Sequence, residues 1–451
     1  MKKFLLGLAV IATTTFTSNA EGYQVNTLSA RQNGMGHTGT ALKLGSESMI
    51  FNPAGLGYLQ KQIDARASVS GIFATATCDV RDSGSFKTDN SASTPISVNL
   101  GFRIYDSFSA GISFYTPYGS NINWGENWPG AILNQSVKLS VYTIQPTFAY
   151  RPLKNLSIGA GLMISWGNVN LDKGLVNPAT FSMILPSWAT QYGLTMPASV
   201  NLNGKSAVAL GVNLGVMYDI DSKWTVGVSY RSKMNMKVRS GNASLHFAND
   251  MAKAALESTL GLIDKARFKA EMPCVSIINF GVSYKPLDKL TLAADAQLSL
   301  WNEYRELNII FPDQAIPDSF NQEIPKNYHN SWTWHLGAEY NLTERFDIRA
   351  GIMIDSSPIN RHNYNPETPG MTKIEPSIGF SFRPVPSFSI DFGMLYVAGL
   401  GVDNASVTYN DMLANVINTQ LGKPVVSPTQ TFTADYKVHA VIPSIGVSFT
   451  F

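Results

Sequence analysis

The sequence predicts an all-β protein: a 14-stranded antiparallel transmembrane barrel with an N-terminal segment plugging its lumen. Apolar residues recur with period two, tight turns alternate with much longer links, and a stretch of roughly forty glycine-rich residues behind a leader fits neither helix nor strand.

The leader comes first. Lys2 and Lys3 precede an apolar run from Phe4 to Ala12, and Ser18-Asn19-Ala20 offers small residues for cleavage, so residues 1–20 read as a secretory signal peptide. No cysteine follows that site, so a lipid anchor is not indicated. Losing Lys2 and Lys3 from 34 basic residues leaves 32 against 32 acidic ones, and a formally neutral chain implies neither nucleic acid nor an anionic surface as partner. Cys78 and Cys274 are too few for a disulfide scaffold and read as free thiols.

Hydrophobic residues make up 44% of the chain, yet after the leader no stretch reaches the ~18 uninterrupted apolar residues of a membrane helix. The alternation is instead that of strands. Leu156, Ile158, Ala160, Leu162, Ile164 and Trp166 alternate with Ser157, Gly159, Gly161, Met163 and Ser165, so one face is apolar and the other small or polar. Val208 to Tyr218 and Phe388 to Met394 repeat the pattern, with aromatics at strand ends where interfacial girdles require them.

Asp106-Ser107, Leu153-Lys154-Asn155, Asp221-Ser222-Lys223, Leu287-Asp288-Lys289, Thr343-Glu344-Arg345 and Val385-Pro386-Ser387 are tight turns, and the links between the resulting hairpins are long. Short periplasmic turns with longer outer loops define an outer-membrane barrel of a Gram-negative bacterium. Those turns join twelve strands; single strands near Ile63 to Thr75 and Lys437 to Phe451 complete fourteen. The barrel is assigned to residues 61–451.

Several motifs make the chain resemble the FadL/TodX family of outer-membrane channels for long-chain fatty acids and hydrocarbons. They are Gly22-Tyr23-Gln24-Val25-Asn26, the run Gly34 to Gly39, Asn52-Pro53-Ala54, and Phe114 to Gly119. Tyr230-Arg231-Ser232-Lys233, Trp301-Asn302, and Arg349-Ala350-Gly351 followed by Ser357-Pro358 extend the likeness over nearly the whole mature chain. The resemblance implies that residues 21–60 form a hatch, with Asn52, Pro53 and Ala54 as its motif. Physical reasoning agrees, since a barrel of this size cannot fill its lumen with its own side chains.

Gly34-Met35-Gly36-His37-Thr38-Gly39 also fits the dinucleotide-binding pattern G-x-G-x-x-G. That reading is rejected, because no buried strand precedes it and no amphipathic helix follows. No cofactor and no metal site is expected.

Two long loops, near 174–203 and 246–266, carry helical stripes: Phe181, Ile184, Leu185, Trp188 and Tyr192 in one, Phe247, Met251, Leu256, Leu260 and Ile263 in the other. They are read as facing each other or a hydrophobic ligand, and the resemblance implies a capture groove between them. It also places a cation for a ligand headgroup at Lys326. Arg231, Asp295, His335, Glu339, Asp347, Arg349 and Asp391 share the register of the small residues and are expected in the lumen, where charge is tolerated.

The family is thought to release ligand sideways where the third strand kinks. In this chain Pro117 and Gly119 are the candidates for that gate, with Gly111 as an alternative hinge. The expected protein is a monomeric channel that passes hydrophobic molecules inward by diffusion, in contact with outer-membrane lipid. The alternatives are an outer-membrane hydrolase and a surface adhesin. Six scattered histidines, no G-x-S-x-G and no H-E-x-x-H argue against the first, and the apolar stripes in the loops argue against the second.

Overall fold

The structure, a computed structural model, describes residues 22–260, 265–313 and 321–451. The leader and Ile263 of the second loop stripe lie outside the described residues.

Every strand joins one antiparallel sheet, which closes into a ring of 14 wall strands, several of them broken by a bend. The first seven are Ile63–Ser70 with Phe73–Val80, Gly84–Lys87 with Ile96–Tyr105, Phe108–Asn123, Ser136–Leu153, Leu156–Gly174, Ala198–Lys205 with Ala209–Asp219, and Trp224–Arg231 with Met234–Phe247. The second seven are Lys265–Cys274 with Ile277–Leu287, Leu290–Ser299 with Glu306–Ile310, Gln322–Pro325 with Ser331–Asn341, Phe346–Asp355, Lys373–Val385, Phe388–Gly399 with Val402–Asn410, and Thr429–Thr450. First and last strands close the ring in the register Ala65↔Phe449, and Ile63 N donates to Phe451 O at 3.0 Å. The two end strands are longer than expected: the first resumes beyond a break at 71–72, and the last begins at Thr429, where it pairs with Val402–Asn410. These outer extensions carry few lipid-facing apolar residues, so the alternation used to find strands is weak there.

The period-two faces sort as expected. Ile158 and Leu162 face outward and exposed while Ser157, Met163 and Ser165 are buried, and Val212, Leu214 and Val216 likewise face out. An apolar side chain on the lipid side and a small or polar one on the lumen side is the arrangement a spanning strand needs.

Above the ring, helices Pro178–Phe181 and Trp188–Tyr192 fill the first long loop and Asp250–Leu260 the second. The first loop is shorter than expected, because Ala198–Lys205 continues the sixth strand. A further helix, Met412–Leu421, was not anticipated; Asp411 caps it by accepting from Ala414 N at 3.1 Å, and Gly422 ends it at φ 64°. Phe181, Trp188, Leu256, Leu260, Leu413 and Ile417 pack into one apolar cluster that ties the three loops together.

Residues 22–59 lie inside the ring. Contrary to expectation they contain short helical turns, at Ala30–Asn33, Gly45–Glu47, Ser48–Phe51 and Pro53–Tyr58. Two of them are capped by their own N-terminal side chains, Ser29 Oγ accepting from Gln32 N and Asn52 Oδ1 from Ala54 N, so no long periodic run is needed to form them.

Candidate functional site

The luminal segment is held by backbone groups that find partners on the wall. Asp295 Oδ2 accepts from Gly39 N and Thr40 N at 2.7 and 2.9 Å, Ser157 Oγ donates to Ala54 O at 2.6 Å, and Gln145 Nε2 donates to Met49 O at 2.7 Å. Irregular backbone buried in a lumen demands such partners, because an orphaned amide costs ~1–3 kcal/mol.

Asn52 is the hinge pin of this packing. Its Nδ2 donates to Thr40 O at 2.7 Å and Val216 O at 3.1 Å, and its Oδ1 accepts from Ala54 N at 3.1 Å. Pro53 and Asn52 rest in a notch formed by Gly159 and Gly215, which face each other on the fifth and sixth strands; a Cβ on either glycine would overlap the motif. The small residues of the inward register therefore let a folded segment approach the wall backbone.

The luminal charges also meet the segment. Arg31 forms a 2.8 Å ion pair with Glu339, which accepts from Arg349 Nε at 2.6 Å, and Arg231 donates to Ile50 O at 2.8 Å. A small polar chamber lies beside them, lined by His37, Arg231, Asp295 and His335 among others. Burial, with His335 and Arg231 nearby, pushes the His37 imidazole down to about 3, so it stays neutral.

Above this polar layer is an apolar cavity of about 110 Å³. Its wall includes Val141, Leu171, Met236, Val238 and Phe268 from the fourth to eighth strands, and polar groups are confined to a few positions such as Glu271, Glu367 and Thr368. Its lining, apolar with a few polar positions, suits a hydrophobic molecule. Tyr23 lies along it, its hydroxyl donating to Pro273 O and its ring edge-on to Trp301 at 5.1 Å. Gln24 and Val25, next along the chain, line the polar chamber instead. One extended stretch thus separates the two spaces.

That stretch occupies a seam in the wall. Second and third strands pair as far as Ser97↔Tyr115, and the third strand then bulges between Tyr115 and Tyr118. From there its edge is taken by the N-terminal stretch: Val25 N donates to Pro117 O and Gly119 N to Tyr23 O, both at 2.9 Å, about a Gln24↔Tyr118 bridge. Contact on that side returns at Asn121, whose Nδ2 donates to Ser91 O at 2.6 Å, and main-chain bonding where Asp89 N donates to Asn123 O. Gly111, by contrast, sits in an unbroken ladder between Gly101 and Thr147, and a Cβ there would strike Met49. No pairing is interrupted at this position.

Comparison with known proteins settles the family. The family described as outer membrane protein transport protein (OMPP1/FadL/TodX) matches residues 9–451. The chain belongs to this family. Among curated relatives, outer membrane protein P1 of Haemophilus influenzae is 24% identical over the full length of both chains. The long-chain fatty acid transport protein of Escherichia coli K12 is 22% identical over 89% of this chain and 92% of that protein. Among solved structures, a Pseudomonas aeruginosa FadL homologue aligns with TM-score 0.80 at 18% identity, covering 96% of this chain and 100% of the other. The Pseudomonas putida toluene transporter TodX aligns at 0.69 and 14%, covering 96% and 100%. The protein is accordingly an outer-membrane β-barrel of the FadL/TodX type, a transport protein rather than an enzyme.

Within this FadL/TodX barrel the residues expected to bind ligand are scattered. Phe181, Trp188 and Leu256 are fully buried in the outer loop cluster and Leu260 nearly so, so they hold the loops together rather than face a groove. Leu185 packs against them, while Ile184 and Met251 point away and are exposed. Lys326 is buried and paired with Glu367, its ammonium 5.9 Å above the Tyr304 ring, and so is already neutralised. None of these eight residues lines the apolar cavity. Tyr23, Glu271, Tyr304 and Glu367, which do, carry no local sequence signal for that role; only the barrel brings them together.

Proposed function

We propose that this protein carries hydrophobic molecules, long-chain fatty acids or hydrocarbons, inward across the outer membrane by diffusion, and releases them sideways. Ligand is captured at the outer loops, where Ile184 and Met251 offer exposed apolar surface, and passes into the apolar cavity. Each buried CH₂ gains about 0.8 kcal/mol, so roughly ten methylenes supply on the order of 8 kcal/mol that a water-filled pore would not offer. Residues 21–60 act as the hatch that denies a hydrophilic leak, and a ring with no free edge functions as a monomer. The named activities of the E. coli and P. putida relatives, fatty acid and toluene transport, support this class of cargo.

The observation that carries the reading is the shared position of Tyr23 to Val25, which lie between the apolar cavity and the polar chamber and also fill the seam at Pro117 to Gly119. Withdrawing that stretch opens the cavity toward the wall in one movement. An apolar molecule leaving through the wall stays out of water, whereas one leaving axially surrenders its burial energy.

A reversible clamp tests this. Gln24 and Tyr118 form a bridge flanked by the hydrogen bonds of their neighbours, a geometry that brings Cα atoms to about 4.5 Å and suits a disulfide. Gln24→Cys with Tyr118→Cys, in a Cys274→Ala background, should lose hydrophobic uptake when oxidised and regain it on reduction. Full uptake by the oxidised protein would sink the proposal.

A further inference from the structure

The wall has a second discontinuity, on the side of the barrel formed by the eighth and ninth strands. These strands pair in register from Leu287↔Leu290 out to Ile277↔Ser299, and pairing resumes only at Ala270↔Ile309 and Lys269↔Ile310. Between those points the ninth strand detours through the turn Trp301–Glu303. At its lower end Leu300 N donates to Ser276 O at 2.9 Å and Ser276 N to Glu303 Oε2 at 3.2 Å, and Tyr23, which donates to Pro273 O and lies edge-on to Trp301 and Tyr304, packs across it. Pro273, on the open edge, has no N–H to offer a ladder.

Strand pleating puts two different surfaces back to back here. Met236, Val238, Phe268 and Met272 turn inward to the apolar cavity, while Lys237, Arg239 and Lys269 turn outward into a groove of about 740 Å³. The two spaces share Val238, Ala270, Glu271 and Tyr304 as lining, so these residues lie between them. The Glu271 carboxylate is held there by an ion pair with Lys237 at 3.0 Å, directly across the seventh and eighth strands, with both side chains about half exposed.

The groove is cationic. Lys233, Lys237, Arg239, Lys269 and Arg305 face three glutamates, and Lys233, Arg239, Lys269 and Arg305 are exposed with no carboxylate partner among the described residues. It begins just beyond the pair Tyr230 and Ile278, on the outward continuation of the same strands, with Tyr230 exposed on the outer face.

We propose that this discontinuity is a side port for anionic single-tailed amphiphiles, whose headgroup seats in the cationic groove while the tail passes between Ala270 and Tyr304 into the apolar cavity. The inference rests on the reading of that cavity as the ligand site and adds to it the charge of the preferred cargo and the direction of its approach. Lys326, already paired with Glu367, leaves the headgroup role open for these exposed cations.

The test uses the mature chain in neutral detergent and two probes, a long-chain fatty acid with a photoreactive group beside the carboxylate and the matching uncharged alcohol. The acid should bind about tenfold more tightly than the alcohol, the effect of one charge-assisted contact. Lys269→Gln with Arg305→Gln should reduce that preference to under about twofold, a loss of most of that single contact, and leave alcohol binding unchanged. Lys285→Gln with Lys289→Gln, at the opposite end of the barrel, should match the parent protein. Photolysis of the acid should label peptides spanning 233–239 and 303–308. Undiminished acid preference in the groove variant, or labelling confined to the outer helices or the surroundings of Lys326, would overturn the port. If neither probe binds the parent protein, the cavity reading falls and takes the port with it; binding of both without charge preference defeats the port alone.

Discussion

Asn52 shows how one amide can govern a luminal segment. It answers two carbonyls and one N–H that belong to three different stretches of backbone, and alanine answers none of them. Asn52→Ala should therefore loosen the segment by ~1–3 kcal/mol per group left unpaired. Hydrophobic uptake should fall while barrel assembly, read from heat-modifiable gel migration, survives. Normal uptake in a well-assembled variant would reduce Asn52-Pro53-Ala54 to a turn. The motif was legible in the sequence, but the notch of Gly159 and Gly215 that receives it was not, because those glycines are neighbours only once the fifth and sixth strands pair.

At the scale of elements, the proposed function assigns sealing to the luminal segment and capture to the outer helices, and each assignment can be tested. Deleting residues 22–59 removes the groups that engage Asp295, Ser157 and Gln145 and leaves a lumen too wide for wall side chains to fill. Single-channel conductance and permeability to small hydrophilic antibiotics should rise; unchanged conductance would mean that the segment is no plug. The helix Met412–Leu421 offers a milder perturbation. Its cap Asp411 also accepts from Thr180 Oγ1 at 2.5 Å, joining it to the first helical loop. Asp411→Ala should cost about 1 kcal/mol or somewhat more, exposing residues 412–428 to limited proteolysis and weakening ligand capture without altering the thermal stability of the barrel. Protection equal to that of the parent would deny the cap its role. Asp411 and Gly422 are start and stop signals around Leu413, Val416 and Ile417, so this helix is legible in the sequence, although a ten-residue helix inside a long link leaves no period-two mark.

For the whole molecule, the question is which way a hydrophobic cargo leaves. The seam at Pro117 to Gly119 is filled by main chain, and the Cβ expected at Gly119 would already touch Leu139 O and Val25. Gly119→Trp should wedge this seam and abolish uptake while leaving ligand binding to the purified protein intact, measured as probe fluorescence in detergent. Full transport by that variant would favour axial passage past a moving hatch. Gly111 is unsuitable for the same experiment, since a bulky side chain there strikes Met49 and disturbs the segment itself.

Alternation at period two assigns the membrane-spanning part of the wall and its inner and outer faces, but not the outer extensions such as Phe73–Val80 and Ala198–Lys205. Lipid and lumen impose opposite demands on successive residues, and the chain records that demand locally, residue by residue, as at Ile158 beside Ser157. Cavities and seams leave no such record. Tyr23 reaches Pro273, and Lys326 its partner Glu367, only because a closed ring brings separate strands and loops around one lumen. Phe181 and Trp188 illustrate the converse: their helical spacing was real, yet whether such a stripe meets cargo or its own neighbours depends on Leu256 and Leu413 from two other loops. Burial of apolar surface is satisfied by whichever partner is nearest, and nearness across a barrel is a property of closure rather than of local pattern.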